Sequence, residues 1–426
     1  MNHIDQLYLQ IIYNTCVQNP TDFITIQPED EQPLTELTKV QSTLPFLLSY
    51  IKNPTILNSL KHQTKLMMLN YYQIEQFTRR IADLLEKNGI SYVLLKGISL
   101  ADFYPVPEYR KLGDVDIYIN DKEMFNRAEE LLLANGYTKD DEISDHHQGY
   151  LYKVPQTGRT MILELHYRIV GLYQYAPANK IVDAVFASGA FTPIIQKVND
   201  RSYPVLPPTE YTFYMIHHML KHYLYSGFGI RLLCDFSFYL EHNYTDVDFV
   251  KIHTWCEESK ILHLYEIILE TCRIYLGLPE TINSKIHYNK NDCEAFITQL
   301  LEDGDVTHNN GSTLVGSGSY EKINFLTYFK EGHLQMHVRF PKLGKCPLLW
   351  PALWMITFVC FLYNTYTLRN TTLKETLRSF KQDNQRSKLL RIFDNTDHSY
   401  PVYPMCSHAQ RVENSILHYL FLCGKK

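Results

Sequence analysis

"YVLLKGISLADFYPVPEYRKLGDVDIYIND" runs from Tyr92 to Asp121. An apolar run closes on Lys96–Gly97, a proline-rich loop carries Arg110, and two acids, Asp114 and Asp116, open the run "DVDIYI". Residues two apart on a strand project to the same side. Both carboxylates therefore point together, and like charges so placed repel unless a cation lies against them. A hard divalent ion satisfies them through oxygen and keeps positions free for phosphate ligands. A solvated strand edge next to Gly113 is the other reading of the same residues. If repulsion dominates, Asp116→Asn leaves the metal-free stability level or slightly higher.

Outward from this stretch, "ISYVLL" reads as a first strand, "SLADFY" as a short helix and "DVDIYI" as a second strand. "DKEMFNRAEELLLANGY" follows as an amphipathic helix with an acidic first turn and Gly136 at its end. "QGYLYKV" and "RTMILELHYRI" read as two strands joined by the turn "PQTG". Ile90–Val170 is thus a strand–helix–strand–helix–strand–strand unit. Before it, "KLMMLNYYQIEQFTRRIADLLEKNG" has Ile74, Phe77, Ile81, Leu84 and Leu85 at helical spacing, with Gly89 as a stop. After it the pattern is helical again, near Glu210–Tyr225, Ile230–His242, Asp248–Glu258 and Ile261–Leu276.

A third acid strengthens the cation reading. Glu164 sits mid-strand in "MILELHYRI", where a lone charge is costly. If the strands near Asp114 and Met161 are neighbours, Glu164 lies beside the pair. Three acids around one or two ions suit phosphoryl chemistry, the third as ligand or base. His166, two residues on, shares its face and reads as a supporting partner. Gly97 lets the next helix approach a phosphate closely. Arg231 and Asp235, four apart, pair on one helix face. His218 and His222 also share a face, but no third ligand stands at metalloprotease spacing, so a polar face is expected. His146 and His147 read as a loop before a strand.

The chain has 426 residues, 45% hydrophobic and 20% charged, with a net charge of −5. That balance excludes a disordered chain and gives no bulk attraction to nucleic acid. Nine scattered cysteines without a CxxC pair read as reduced thiols. No basic region followed by an apolar core opens the chain, so the cytoplasm is the expected compartment. Lys345–Arg369 encloses an uncharged run long enough to span a bilayer. Pro351, Asn364 and the lack of a second span make a packed helix the expectation.

The order of these motifs closely resembles the uncharacterised nucleotidyltransferase family of the polymerase-beta-like superfamily. Its K-G-x-x-L falls on Lys96, Gly97 and Leu100, and its Y-P-x-P-x-x-R loop on Tyr104, Pro105, Pro107 and Arg110. Its D-x-D falls on Asp114 and Asp116, and its E-L-H plus aromatic on Glu164, Leu165, His166 and Tyr167. The likeness runs on into "HHMLKHYLYSGFGIRLLCDFSFYL" and "RFPKLGKCPLLWPALWM", from about Lys65 to Asn364. Where the wider superfamily has Gly-Ser, Gly97 is followed by Ile98, with Ser99 one place later; Glu108 replaces the family's loop glycine.

The resemblance implies an α+β fold: a small mixed-sheet core at 89–205, a helical segment at 1–88 before it, and a helical region at 206–426 after it, with a Gly/Ser-rich loop near 306–322. It implies transfer of a nucleoside monophosphate from an NTP (ATP among the candidates) to an unknown acceptor, small molecule or protein. Asp114, Asp116 and Glu164 would hold Mg2+ or Mn2+. Lys96, Gly97, Ser99 and Arg110 would place phosphates, with Lys221 or Arg231 adding charge from the helical half and His166 and Asp235 in support. A non-catalytic nucleotide- or protein-binding module on the same fold, and a toxin-like enzyme acting on RNA, are the alternatives.

Overall fold

The computed structural model of the chain describes residues 1–17, 24–141, 144–173, 175–225, 227–283, 290–305 and 325–363. Three helices come first: α1 (His3–Val17), α2 (Pro28–Val40) and α3 (Pro54–Lys87). At 34 residues α3 is about 50 Å long. Asn53 caps it by accepting from the Thr55 and Ile56 amides, Pro54 opens it, and Gly89 ends it at φ +63°. The helix thus begins well before the periodic stretch that betrays it in the sequence.

The core unit follows in the order β1 (Val93–Leu94), α4 (Ile98–Ala101), β2 (Val115–Tyr118), α5 (Lys122–Ala134), β3 (Thr138–Lys139), β4 (His147–Lys153) and β5 (Thr160–His166). Asp121 caps α5 through the Met124 amide, and Gly136 ends it at φ +83°. α6 (Ala176–Val185) leads to a hairpin of β6 (Ile194–Val198) and β7 (Arg201–Val205). The seven strands form one mixed sheet in the order β3-β4-β5-β2-β1-β7-β6. β2 runs parallel to β5 and antiparallel to β1, which runs parallel to β7.

The hairpin and β3 extend the sheet beyond the strands legible in the sequence. β6 is an edge strand with little burial, and β7 carries Pro204, so neither shows a clean apolar alternation. Arg201 of β7 ties the hairpin to Asp83 and Glu86 of α3.

The helical half comprises α7 (Pro208–Tyr225), α8 (Ile230–Asn243), α9 (Phe249–Glu258), α10 (Leu262–Leu276) and α11 (Lys290–Asp303). One continuous apolar core, from Tyr8 of α1 to Leu301 of α11, joins these helices to the sheet and to the N-terminal helices. The boundaries at 88 and 205 fall in the α3–β1 connection and at the end of β7. The Gly/Ser-rich stretch at 306–322 lies outside the described residues.

The uncharged run near the C-terminus forms α13 (Trp350–Tyr363), paired with α12 (Phe325–Arg339). Leu353, Trp350 and Trp354 pack on Met336 and Phe340 in a small separate core. Fourteen residues of helix reach about 21 Å, short of a roughly 30 Å hydrocarbon layer. Among the described residues no helix is long and apolar enough to cross a membrane. Residues 364–368 of the run lie outside the described residues. The seven described cysteines are free thiols.

Candidate active site

β2 and β5 make the centre of the site by lying side by side. Their register sets Asp116 directly opposite Glu164 and Tyr118 opposite His166. Along β5, Met161, Leu163 and Leu165 are buried on one face, so Glu164 and His166 share the other. Glu164 is therefore not a charge lost in an apolar strand; it belongs to the open face. Asp114 lies one residue before β2, with its side chain 33% exposed against 1% for Asp116. The pair is thus one acid at the mouth and one at the floor.

The cations against these acids belong to the protein itself. Lys96, at the end of the first strand, brings Nζ within 3.3 Å of Asp116 Oδ1 and 3.7 Å of Asp114 Oδ2. Burial works against the Lys96 ammonium, but Asp114 and Asp116 outweigh it and hold its pKa well above the ordinary lysine value. His166 donates from Nε2 to Asp116 Oδ1 at 3.1 Å and lies 3.4 Å from Glu164 Oε2. Burial opposes its charge, yet the hydrogen bonds to Asp116 and Glu164 lift its pKa to about 9. Glu164 is held low despite burial, chiefly by that histidine.

A divalent ion fits this donor set. Carboxylate oxygens of Asp116 and Glu164 and a ring nitrogen of His166 lie within 4.8 Å of one another. Asp116 Oδ2 is buried with no hydrogen-bond partner, a cost that coordination to a cation relieves. Asp114 stands outside that tight group and is linked to it through Lys96.

Gly97 turns the chain at φ +78°, ψ −120°, a region only glycine enters freely, and a Cβ there would meet open space. The glycine is needed for its backbone, not for room. Ser99 is fully buried; its Oγ lies 3.2 Å from the Tyr211 hydroxyl and donates to the Lys96 carbonyl.

Arg110 departs most from its expected place. Its Nε and Nη2 both donate to Asp235 of α8 at 2.8 Å, and the residue is 4% exposed. Tyr104 donates its hydroxyl to the same carboxylate at 2.6 Å. The tyrosine and arginine of the proline-rich loop therefore clamp α8 to the sheet, through the aspartate of R-x-x-x-D. Arg231 lies 3.5 Å from Asp235 Oδ2 and 3.4 Å from Asp305 Oδ2. Lys221 stands against Asp145 and 5.9 Å from the centre of the Tyr173 ring. Ser99, Arg110 and Lys221 thus serve the frame around the site, because their polar atoms are committed to protein partners.

Four residues matter more than the sequence suggests. His147 begins β4 opposite His166, with Nε2 3.7 Å from Glu164 Oε1. Tyr214, His218 and His222 all lie on α7, and Tyr214 feels the charges of Lys96 and Asp116. His218 and His222 bring their Nε2 atoms to 3.1 Å and are half-buried, not a fully solvated face. Burial, with the fields of Lys96 and Arg231 added, keeps both imidazoles neutral. The spacing of four between these histidines was the available signal.

Buried neutral histidines set a pH dependence. Burial pushes His217 down to about 3, and His146 and His222 to about 4, against about 6.5 in an unfolded chain. Their folded values are depressed, so the stability they confer is present above pH 6.5 and drains as the pH falls towards 4. Urea unfolding of the metal-free protein at pH 6.5 and 5.5 is expected to show a loss of about 1 kcal/mol per group. A level or rising stability over that step would contradict these burials.

The profile of the uncharacterised nucleotidyltransferase family matches residues 27–277, and the chain belongs to that family. The match runs from the cap of α2 to Gly277, which ends α10. It takes in the whole sheet and both partners of the Arg110–Asp235 clamp. Among solved structures, an antigenic nucleotidyltransferase-like protein from Paracoccidioides brasiliensis is 14% identical, over 52% of this chain and 96% of its own, with a TM-score of 0.30. A likeness of that size identifies neither fold nor function. No curated protein matches the chain.

Proposed function

We propose that the protein transfers a nucleoside monophosphate from an NTP to an acceptor hydroxyl, phosphate or amine. The acceptor attacks the α-phosphorus, the bond to the β-phosphate bridging oxygen breaks, and pyrophosphate leaves with that electron pair. The observation that carries this reading is Asp116 opposite Glu164 on parallel strands, closed by Lys96 and with one Asp116 oxygen unpaired.

Asp114, Asp116 and Glu164 would hold Mg2+ or Mn2+, which would supply positive charge against the triphosphate. Lys96, within 3.3 Å of Asp116 and 3.7 Å of Asp114, would present its ammonium to the phosphates. Gly97 keeps the backbone beside them low. His147, neutral at 3.7 Å from Glu164, and Glu164 itself are placed to receive the acceptor's proton. His218 and His222 supply neutral donors between the charges of Lys96 and Arg231.

Calorimetric titration of the full chain with each of the four NTPs tests this. Binding of at least one NTP that depends on Mg2+ or Mn2+ is expected. No heat with any of the four, with either ion, would contradict the proposal.

A further inference from the structure

Beside the acid site stand three histidines whose grouping nucleotide transfer by the acids does not require. His146 and His147 precede and open β4, and His166 ends β5 opposite His147. Ring nitrogens of the three lie within 4.8 Å of one another. The rings gather with centroids 4.5 Å (His146–His147), 5.1 Å (His147–His166) and 5.5 Å (His146–His166) apart.

The polar groups around His146 hold its ring in one tautomer. His146 Nδ1 faces Asp145 Oδ1 at 2.8 Å and the Ser144 hydroxyl at 2.9 Å. Asp145 is itself fixed: Oδ2 accepts from the Leu172 amide at 2.8 Å, and Lys221 stands against it. A proton on His146 Nδ1, shared with the carboxylate, leaves Nε2 with its lone pair free. That lone pair lies 3.2 Å from His147 Nδ1, within reach of its proton in the metal-free chain and near enough for both nitrogens to ligate one ion. His166 adds the independent observation: it is 4% exposed, and its Nδ1 is buried with no hydrogen-bond partner.

We infer that His146, His147 and His166 form a transition-metal site of their own, with the Glu164 carboxylate at its edge. Three imidazoles disfavour Mg2+, Ca2+ and Mn2+, which take oxygen ligands, and suit Zn2+, Co2+ or Ni2+. The site shares His166 and Glu164 with the acids and is otherwise separate from them. It does not depend on nucleotide transfer. A chain that never binds an NTP would still bind the ion, so failure of either reading is visible without the other.

The test is a Co2+ titration of the full chain after chelator treatment, without nucleotide. Saturating visible ligand-field absorption at one equivalent, abolished when Zn2+ is added, is expected. His146→Ala with His147→Ala should remove it. Asp145→Asn, which keeps all three imidazoles, should weaken Co2+ about 10- to 100-fold. His253→Ala, an exposed histidine elsewhere, should leave it unchanged. Absent absorption in the parent chain, or absorption unaltered in the double variant, overturns the site. Should the double variant fail to fold, a parent crystal soaked in Zn2+ decides. An anomalous peak within about 2.5 Å of ring nitrogens of His146 and His147 supports the site, and its absence there overturns it.

Discussion

Asp116→Asn is expected to abolish metal-dependent NTP binding and to lower turnover by about three orders of magnitude. Asp116 is 1% exposed and central: it faces Lys96, His166 and Glu164 at once. An amide keeps the shape and removes the charge, leaving a divalent ion with Glu164 and the more exposed Asp114. That is too few oxygens to fix a triphosphate for in-line attack. The same variant should lose stability in the metal-free state. Repulsion between Asp114 and Asp116 predicts no loss, but the structure sets Lys96 and His166 against Asp116, so removing the charge strands buried cations. The loss should be about 3 kcal/mol, the lower end for a broken buried pair, since Lys96 keeps Asp114 and His166 can release its proton. Thermal melts with and without Mg2+ and NTP measure both effects; unchanged nucleotide binding would confine Asp116 to a structural role.

Asp235→Ala should cost more stability than any other single change in this region, about 3–5 kcal/mol. The carboxylate accepts from Arg110 twice and from Tyr104 once, with Arg231 3.5 Å away, and every one of these contacts crosses to or lies on α8. Its loss leaves Arg110 charged, buried and without its counter-ion. The paired change Arg110→Met with Asp235→Leu should recover much of the loss, because an apolar pair of similar volume carries no desolvation penalty. Denaturant midpoints of the parent and the two variants check this. A negligible loss in Asp235→Ala would mean that the clamp is dispensable and that packing alone holds α8.

The α+β fold was legible where period and punctuation agree: α3 with Gly89, α5 with Asp121 and Gly136, and β5 with its apolar run after the turn "PQTG". It was not legible at β6–β7, where an exposed edge strand and a proline blur the pattern. The charged residues of the site divide the same way. Acids at strand spacing announce themselves because a carboxylate in an apolar run is costly and needs a reason. Arg110 does not, since an arginine in a loop looks the same whether it meets a phosphate or an aspartate 125 residues later. His147 and Asp145 were hidden for a related reason. Their importance arises from pairing β4 with β5, which places His147 opposite His166.

A crystal of the full chain grown with Mn2+ and a non-hydrolysable NTP tests the central claim most directly. An anomalous peak is expected within about 2.5 Å of carboxylate oxygens of both Asp116 and Glu164, with the Lys96 ammonium turned from Asp116 to the phosphates. Nucleotide bound elsewhere, with Lys96 still paired to Asp116 and no ion between the two strands, would contradict it.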